Sequence, residues 1–149
     1  MTVVVPILLL PKDVDLPVPR YQSAGAVAMD VYAAESKWLL ARVPTTIRFG
    51  FALAIPEGYE GQIRGRSGLA KRGISCHLGT IDSDFRGEIM GLFTFVPDVA
   101  ETDVKSAYQV DRGDRIAQLL VAPVTIVRMM VVDALPDTVR GAGGFGSTG

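Results

Sequence analysis

Apolar and polar residues alternate most cleanly from Thr45 to Ile55, where Ile47, Phe49, Phe51, Leu53 and Ile55 interleave with Thr46, Arg48, Gly50, Ala52 and Ala54. A period of two places the five large side chains on one face of a strand. Shorter runs rich in β-branched or apolar residues lie at Gln62 to Arg66, Glu88 to Val96, Arg115 to Val124 and Ile126 to Val132. Turn signals separate them: Pro56 with Gly58, Gly61, Pro97 with Asp98, Arg112 with Gly113, and Pro123. Nine prolines at such spacing leave little room for long helices. The best helical candidate is the short piece after Ser67, running through Gly68, Leu69, Ala70, Lys71 and Arg72 and closed by Gly73. The pattern predicts an all-β domain of many short strands, a sandwich, barrel or jelly roll, with no internal repeat and no linker to divide it.

The C-terminal end breaks the pattern. From Arg140 the chain reads RGAGGFGSTG, with glycine at 141, 143, 144, 146 and 149. Such a segment buries too little apolar area to offset its chain entropy, so residues 140–149 are expected to be mobile by themselves. The arginine, phenylalanine, serine and threonine among the glycines are also what a flap that grips phosphate and a base would carry.

Length and composition then bound the chemistry. A chain of 149 residues with 48% hydrophobic content supports one core and is too short for two domains with a cleft between them. The single cysteine, Cys76, excludes an internal disulfide framework and a cysteine-built zinc site. The single histidine, His77, leaves little material for an imidazole-rich metal centre or a serine-histidine triad. A net charge of -1 argues against a general nucleic-acid or membrane-surface binder. Under that near-neutral total lie eleven arginines against four lysines, and the guanidinium fork suits bidentate contact with phosphate or carboxylate. Met1 to Leu10 is apolar but lacks a basic n-region and a small-residue cleavage site, and no stretch approaches a membrane span. A soluble, cytoplasmic protein is expected.

Three segments carry candidate chemistry. In Gly65-Arg66-Ser67-Gly68-Leu69-Ala70 a strand leads into a helix start, where free amides, the Ser67 hydroxyl and the Arg66 guanidinium would converge on an anion; the plain alternative is that Ser67 caps a short helix. In Gly79-Thr80-Ile81-Asp82-Ser83-Asp84-Phe85-Arg86-Gly87-Glu88, Asp82 and Asp84 share a face if the segment is extended, which would suit a general base; an acidic hairpin turn explains the same residues. In Arg112-Gly113-Asp114-Arg115-Ile116-Ala117-Gln118-Leu119, Gln118 falls on the strand face of Ile116 and Leu120. A buried amide needs a partner, either a ligand or a backbone group. Asp114 with Arg115 suits a turn or a structural ion pair.

These segments, in this order, closely resemble the trimeric dUTP pyrophosphatases (dUTPases), from about Ala24 to Gly149 and across all five motifs of that family. Arg66-Ser67-Gly68-Leu69-Ala70, Gly79-Thr80-Ile81-Asp82 and the terminal Gly143-Gly144-Phe145-Gly146-Ser147-Thr148-Gly149 carry the resemblance. It implies a distorted jelly-roll (β-clip) domain forming a homotrimer. Such a trimer hydrolyses dUTP to dUMP and pyrophosphate with Mg2+, which limits uracil incorporation into DNA and supplies dUMP for dTTP synthesis. Each active site would draw on all three chains.

By position, Asp82 would be the general base for the water that attacks the α-phosphorus, and Phe85 would lie against the deoxyribose and exclude a 2'-hydroxyl. Backbone groups of a hairpin around Ser75 to Asp82, with Gly79, Thr80 and Ile81, would read the uracil edge. Ser67 would donate to the oxygen between the α and β phosphates, with Gly68, Arg66 and Gln118 on the triphosphate. Asp30 would hold waters of the magnesium shell. Phe145 would cover the uracil, with Arg140, Gly146, Ser147 and Thr148 at the γ-phosphate end.

The chain departs from the usual pattern at Ala28, where glycine is common, at Phe85, where tyrosine is usual, and in a short stretch between Ala70 and Gly79. Two other readings stand beside the leading one. A dCTP deaminase-like enzyme of the same fold would use a glutamate near the base. A non-catalytic dUTPase-like module would only bind nucleotide or a protein.

Overall fold

A computed structural model describes residues 2–97 and 107–144. The chain is almost wholly β, as the alternation predicts. In order it forms β1 (Ile7–Leu9), β2 (Met29–Tyr32), β3 (Lys37–Leu40), β4 (Thr45–Arg48), β5 (Phe51–Leu53), β6 (Tyr59–Arg64), the one-turn helix α1 (Ser67–Ala70), β7 (Ile74–Cys76), β8 (Gly79–Ile81), β9 (Met90–Phe95), β10 (Ala107–Val110) and β11 (Arg115–Pro123). The larger sheet has the order β2-β11-β6-β8 and a second has the order β4-β9-β7, with β1-β5 and β3-β10 as separate pairs. Every one of these strand pairs is antiparallel.

The long alternating stretch buries the side predicted for it: Ile47, Phe49, Phe51, Leu53 and Ile55 are all core residues. It is nevertheless two strands rather than one. At Gly50 the backbone turns to φ +76°, and a Cβ there would lie 2.6 Å from Cβ of Asp13. The break sends β4 to pair with β9 and β5 with β1. An ion-pair network closes around it. Arg48 Nη2 meets Asp13 at 2.8 Å and Glu88 at 2.7 Å, Glu88 accepts the Gly50 amide, and Arg112 grips Asp15 through two 2.8 Å hydrogen bonds. The sheets enclose a core centred on Phe93, Leu39, Ile47, Ile63, Ile74, Ile89, Ile116 and Val31, in which the rings of Phe49 and Phe93 meet edge to face at 6.5 Å.

Two expectations fail here. The run Ile126 to Val132 is not a strand. The ladder between β11 and β6 ends at Pro123 opposite Tyr59, and only the Val124 amide bonds further, to Gly58 O. Beyond it the segment pairs with no strand among the described residues, and Ile126, Met129 and Val131 are exposed to 82, 87 and 98%. In β11 a bulge between Arg115 and Ala117 shifts the register, so Ile116, Ala117 and Leu119 are buried while Gln118 and Leu120 are only half-buried. No helix among the described residues is long and apolar enough to cross a membrane.

Candidate active site

The β2–β11–β6 register brings three of the sequence segments together. Gln118 stands opposite Asp30 on one side and Arg64 on the other. Asp30 is 4% exposed, and three donors surround its carboxylate. Arg66 Nε lies 3.5 Å from Oδ1, Gln118 Nε2 is 3.4 Å from Oδ1, and Arg115 Nη1 is 3.3 Å from Oδ2. Arg66 is fixed a second time by donating through Nη1 to the Arg115 carbonyl at 2.6 Å. Arg115 is the site residue that sequence reasoning assigned to a turn or structural pair. Its signal lay in the register opposite β2, which spacing along one strand does not contain.

Ser67 does not cap the helix. Arg66 occupies the cap position with extended φ and ψ, no side chain makes a cap hydrogen bond, and Ser67 is the first helical residue. The Ser67 side chain is exposed and its hydroxyl makes no hydrogen bond among the described residues. The amides of Ser67 and Gly68, at the first two helical positions, have no intrahelical acceptor. A Cβ placed on Gly68 would meet nothing within 4 Å, so this corner opens to solvent beside the Asp30 cluster.

Asp82 lies elsewhere. It follows β8 directly, and its carbonyl accepts the Phe85 amide at 3.1 Å, closing a turn through Ser83 and Asp84. Asp82 and Asp84 therefore do not share an extended strand face; they lie in a turn, though not in a hairpin, since β8 and β9 belong to different sheets. The Asp82 carboxylate is exposed and makes no ion pair among the described residues. Since Ile81 pairs with Gly61, Asp82 stands one step beyond, level with Glu60. From there to Gln118, opposite Arg64, is about 14 Å along the strands and about 10 Å across two strand spacings, or about 17 Å in all. The base candidate and the Asp30 cluster are therefore at opposite ends of the sheet in one chain.

The segment Ser75 to Asp82 is not a hairpin. Ser75, on β7, pairs with Thr94, whereas Gly79, Thr80 and Ile81, on β8, pair with Ile63, Gln62 and Gly61. A two-residue hairpin needs a turn with positive φ, and the intervening His77 and Leu78 do not supply it. The two strands part into different sheets instead. Ile81 is buried and Thr80 exposed. Burial pushes the Cys76 thiol up to about 11, and His77 Nε2 lies 2.8 Å from Thr94 Oγ1.

Arg140 is exposed and donates to Gly143 O at 2.9 Å. Phe145, Gly146, Ser147 and Thr148 lie outside the described residues.

The described residues contain no group of three or more His, Cys, Asp or Glu side chains that could hold a metal. The residues do fit a magnesium ion bound mainly by a triphosphate. A carboxylate offers about four acceptor positions, and the three donors on Asp30 stand at 3.3 to 3.5 Å, long for charge-assisted bonds. Capacity remains on it to accept from a metal-bound water.

The sequence and the fold are similar to those of known proteins. Residues 15–149 match the dUTPase family. The deoxyuridine 5'-triphosphate nucleotidohydrolase of Zymomonas mobilis is 48% identical over 143 residues, covering 94% of this chain and 93% of its own. That of Rhizobium leguminosarum is 48% identical over 145 residues, covering 90% and 86%. Among solved structures, the dUTPase of Staphylococcus bacteriophage 80alpha with dUpNHpp superposes with a TM-score of 0.86 at 24% identity over 99% of both chains. A mutant dUTPase of phage phi11, described as coordinating a structural Mg(II) ion, superposes with a TM-score of 0.78 at 21% identity over 88% and 97%. The fold is that of the dUTPases, and by its sequence the chain belongs to the dUTPase family.

Proposed function

We infer that the protein is a dUTP diphosphatase, releasing dUMP and pyrophosphate, and that it works as a homotrimer whose sites are shared between chains. The observation that carries the shared site is the register that sets Asp82 level with Glu60 and Gln118 level with Arg64, a separation of about 17 Å at ordinary strand spacings. A base must stand within hydrogen-bond reach of the water it deprotonates. The donors on the neighbouring bridging oxygen must be within similar reach of the same phosphate. One chain does not bring them that close, and a second copy presenting Asp82 to the Asp30 cluster does. The exposed apolar side chains between Ile126 and Val139 support the assembly too, since none of the described residues covers them.

At such a site Asp82 takes the proton as water attacks the α-phosphorus in line, and the α,β-bridging oxygen departs with the pyrophosphate. Ser67 donates to that oxygen. Arg66, Gly68 and Gln118 hold the chain of phosphates, and Asp30 sets Arg66, Gln118 and Arg115 in place. Backbone groups of Ser75, Gly79, Thr80 and Ile81 face the base, and Phe85 faces the sugar. Arg140, Phe145, Gly146, Ser147 and Thr148 contribute from the C-terminal end. Asp30 would hold waters of a magnesium ion carried mainly by the triphosphate, and that ion would supply neutralisation of the phosphate charge. The rest of the rate comes from positioning and preorganised donors.

Pyrophosphate release from dUTP, compared with dTTP, UTP and dCTP, tests the reading. Release from dUTP alone is expected, and no release from any of them with magnesium present overturns it. Asp82→Asn is expected to lower kcat by about 10²- to 10⁴-fold with nucleotide binding retained.

A further inference from the structure

The turn that carries Asp82 also carries Phe85, and its neighbours fix both. Arg86 Nη1 donates to Ser83 O at 2.7 Å and to Phe85 O at 2.8 Å. With the Phe85 amide on Asp82 O, this staples the backbone of the turn. The ring is not held by the core, since Phe85 is 46% exposed and lies outside the buried cluster. Its tip rests instead on Gly87. A Cβ built on Gly87 would lie 2.5 Å from Phe85 Cζ, 3.0 Å from Cε2 and 3.3 Å from Cε1. Ordinary carbon contacts are about 3.5 to 4.0 Å, so a methyl group at this position must drive the ring tip off by about 1 Å.

We propose that Gly87 is a specificity-determining position: its bare Cα is the seat that holds the Phe85 ring against the sugar. This rests on the assignment of Phe85 to the deoxyribose. A shift of about 1 Å is comparable to the room a hydroxyl needs, so unseating the ring removes the fit that separates a 2'-deoxynucleotide from a ribonucleotide. The clash falls on the far end of an exposed side chain and not on backbone. The ring therefore yields without unfolding the protein, and the cost appears in discrimination while stability is kept. Gly87 touches no substrate atom in this account. It is a positioning residue that acts through Phe85.

The test measures kcat/KM for dUTP and for UTP, with thermal midpoints, in the full-length protein and in Gly87→Ala, Phe85→Ala and the double variant. Gly87→Ala is expected to lower the dUTP/UTP preference about tenfold. In the Phe85→Ala background, where no ring is left to unseat, it should have no further effect. The wild-type preference in Gly87→Ala, when Phe85→Ala has lost it, overturns the seat. So do independent, multiplying effects in the double variant, or a fall of more than about 10 °C in the midpoint of Gly87→Ala, which would make the glycine structural. Retention of the full preference by Phe85→Ala instead removes the sugar assignment on which the proposal stands.

Discussion

Asp30→Asn removes one negative charge from a place where two guanidinium groups and an amide converge on a side chain almost sealed from water. The two arginines contribute unequally. The Arg115 side chain is 50% exposed, and water screens its 3.3 Å contact to a value of at most about 1 kcal/mol. Arg66, at 28%, is better shielded, and exchanging its carboxylate partner at 3.5 Å for a neutral amide oxygen costs about 1 kcal/mol. The asparagine retains a neutral Oδ1 for Arg66 and Gln118, so those bonds are weakened, while its amino group points at Arg115 and that contact is lost without a replacement. The sum is about 1 to 2 kcal/mol of stability.

Arg66 is also released from the orientation it needs toward the triphosphate, and KM for dUTP should rise about tenfold or more. Urea unfolding at fixed protein concentration, with m unchanged, reads the first effect, and steady-state pyrophosphate release reads the second. A midpoint within about 0.5 kcal/mol of wild type together with an unchanged KM would show that Asp30 does not organise the cluster.

Other substitutions and conditions probe the rest of the account. Gly73 has φ +78°, and a Cβ there would lie 1.9 Å from Val96 O. The Val96 amide bonds back to Gly73 O at 2.8 Å, so Gly73→Ala is expected to cost about 3 kcal/mol or more by thermal unfolding, and a cost below about 1 refutes the clash. Burial raises the Cys76 thiol from 9.0 to about 11, which lowers its thiolate fraction about a hundredfold near pH 8. Alkylation should be correspondingly slow in the folded protein and fast in denaturant, and equal rates would contradict the burial. The Arg112 hydrogen bonds hold the Asp15 carboxyl below its ordinary value of 3.8. A folded-state pKa below the unfolded one gives stability that is present above 3.8 and lost as pH falls through the folded value. Arg112→Gln should flatten this acid limb of the stability curve, and an unchanged limb would show that the pair contributes nothing.

The alternation at Thr45 to Ile55 revealed its buried face, because a period of two is a local property. The break at Gly50 did not show, since it depends on Asp13, a residue 37 positions away. The same holds for the site. Arg66, Ser67 and Gln118 stood out through local motifs, while the partnership of Asp30 with Arg115 follows from the pairing of β2 with β11. Ile126 to Val132 has the composition of a strand but pairs with no edge among the described residues. The parting of β7 and β8 reflects a two-residue connection without the turn residues that a hairpin requires.

If base and phosphate grip come from different copies of the chain, mixing two inactive variants restores activity. Asp82→Asn retains the Ser67 side of the site, and Ser67→Ala retains Asp82. In randomly mixed trimers prepared by co-refolding equal amounts, half the Ser67 positions and, independently, half the Asp82 positions are intact. About a quarter of the wild-type rate should therefore return. If the mixture stays as inactive as its two components although mixed trimers have formed, base and grip belong to the same chain and the account is wrong.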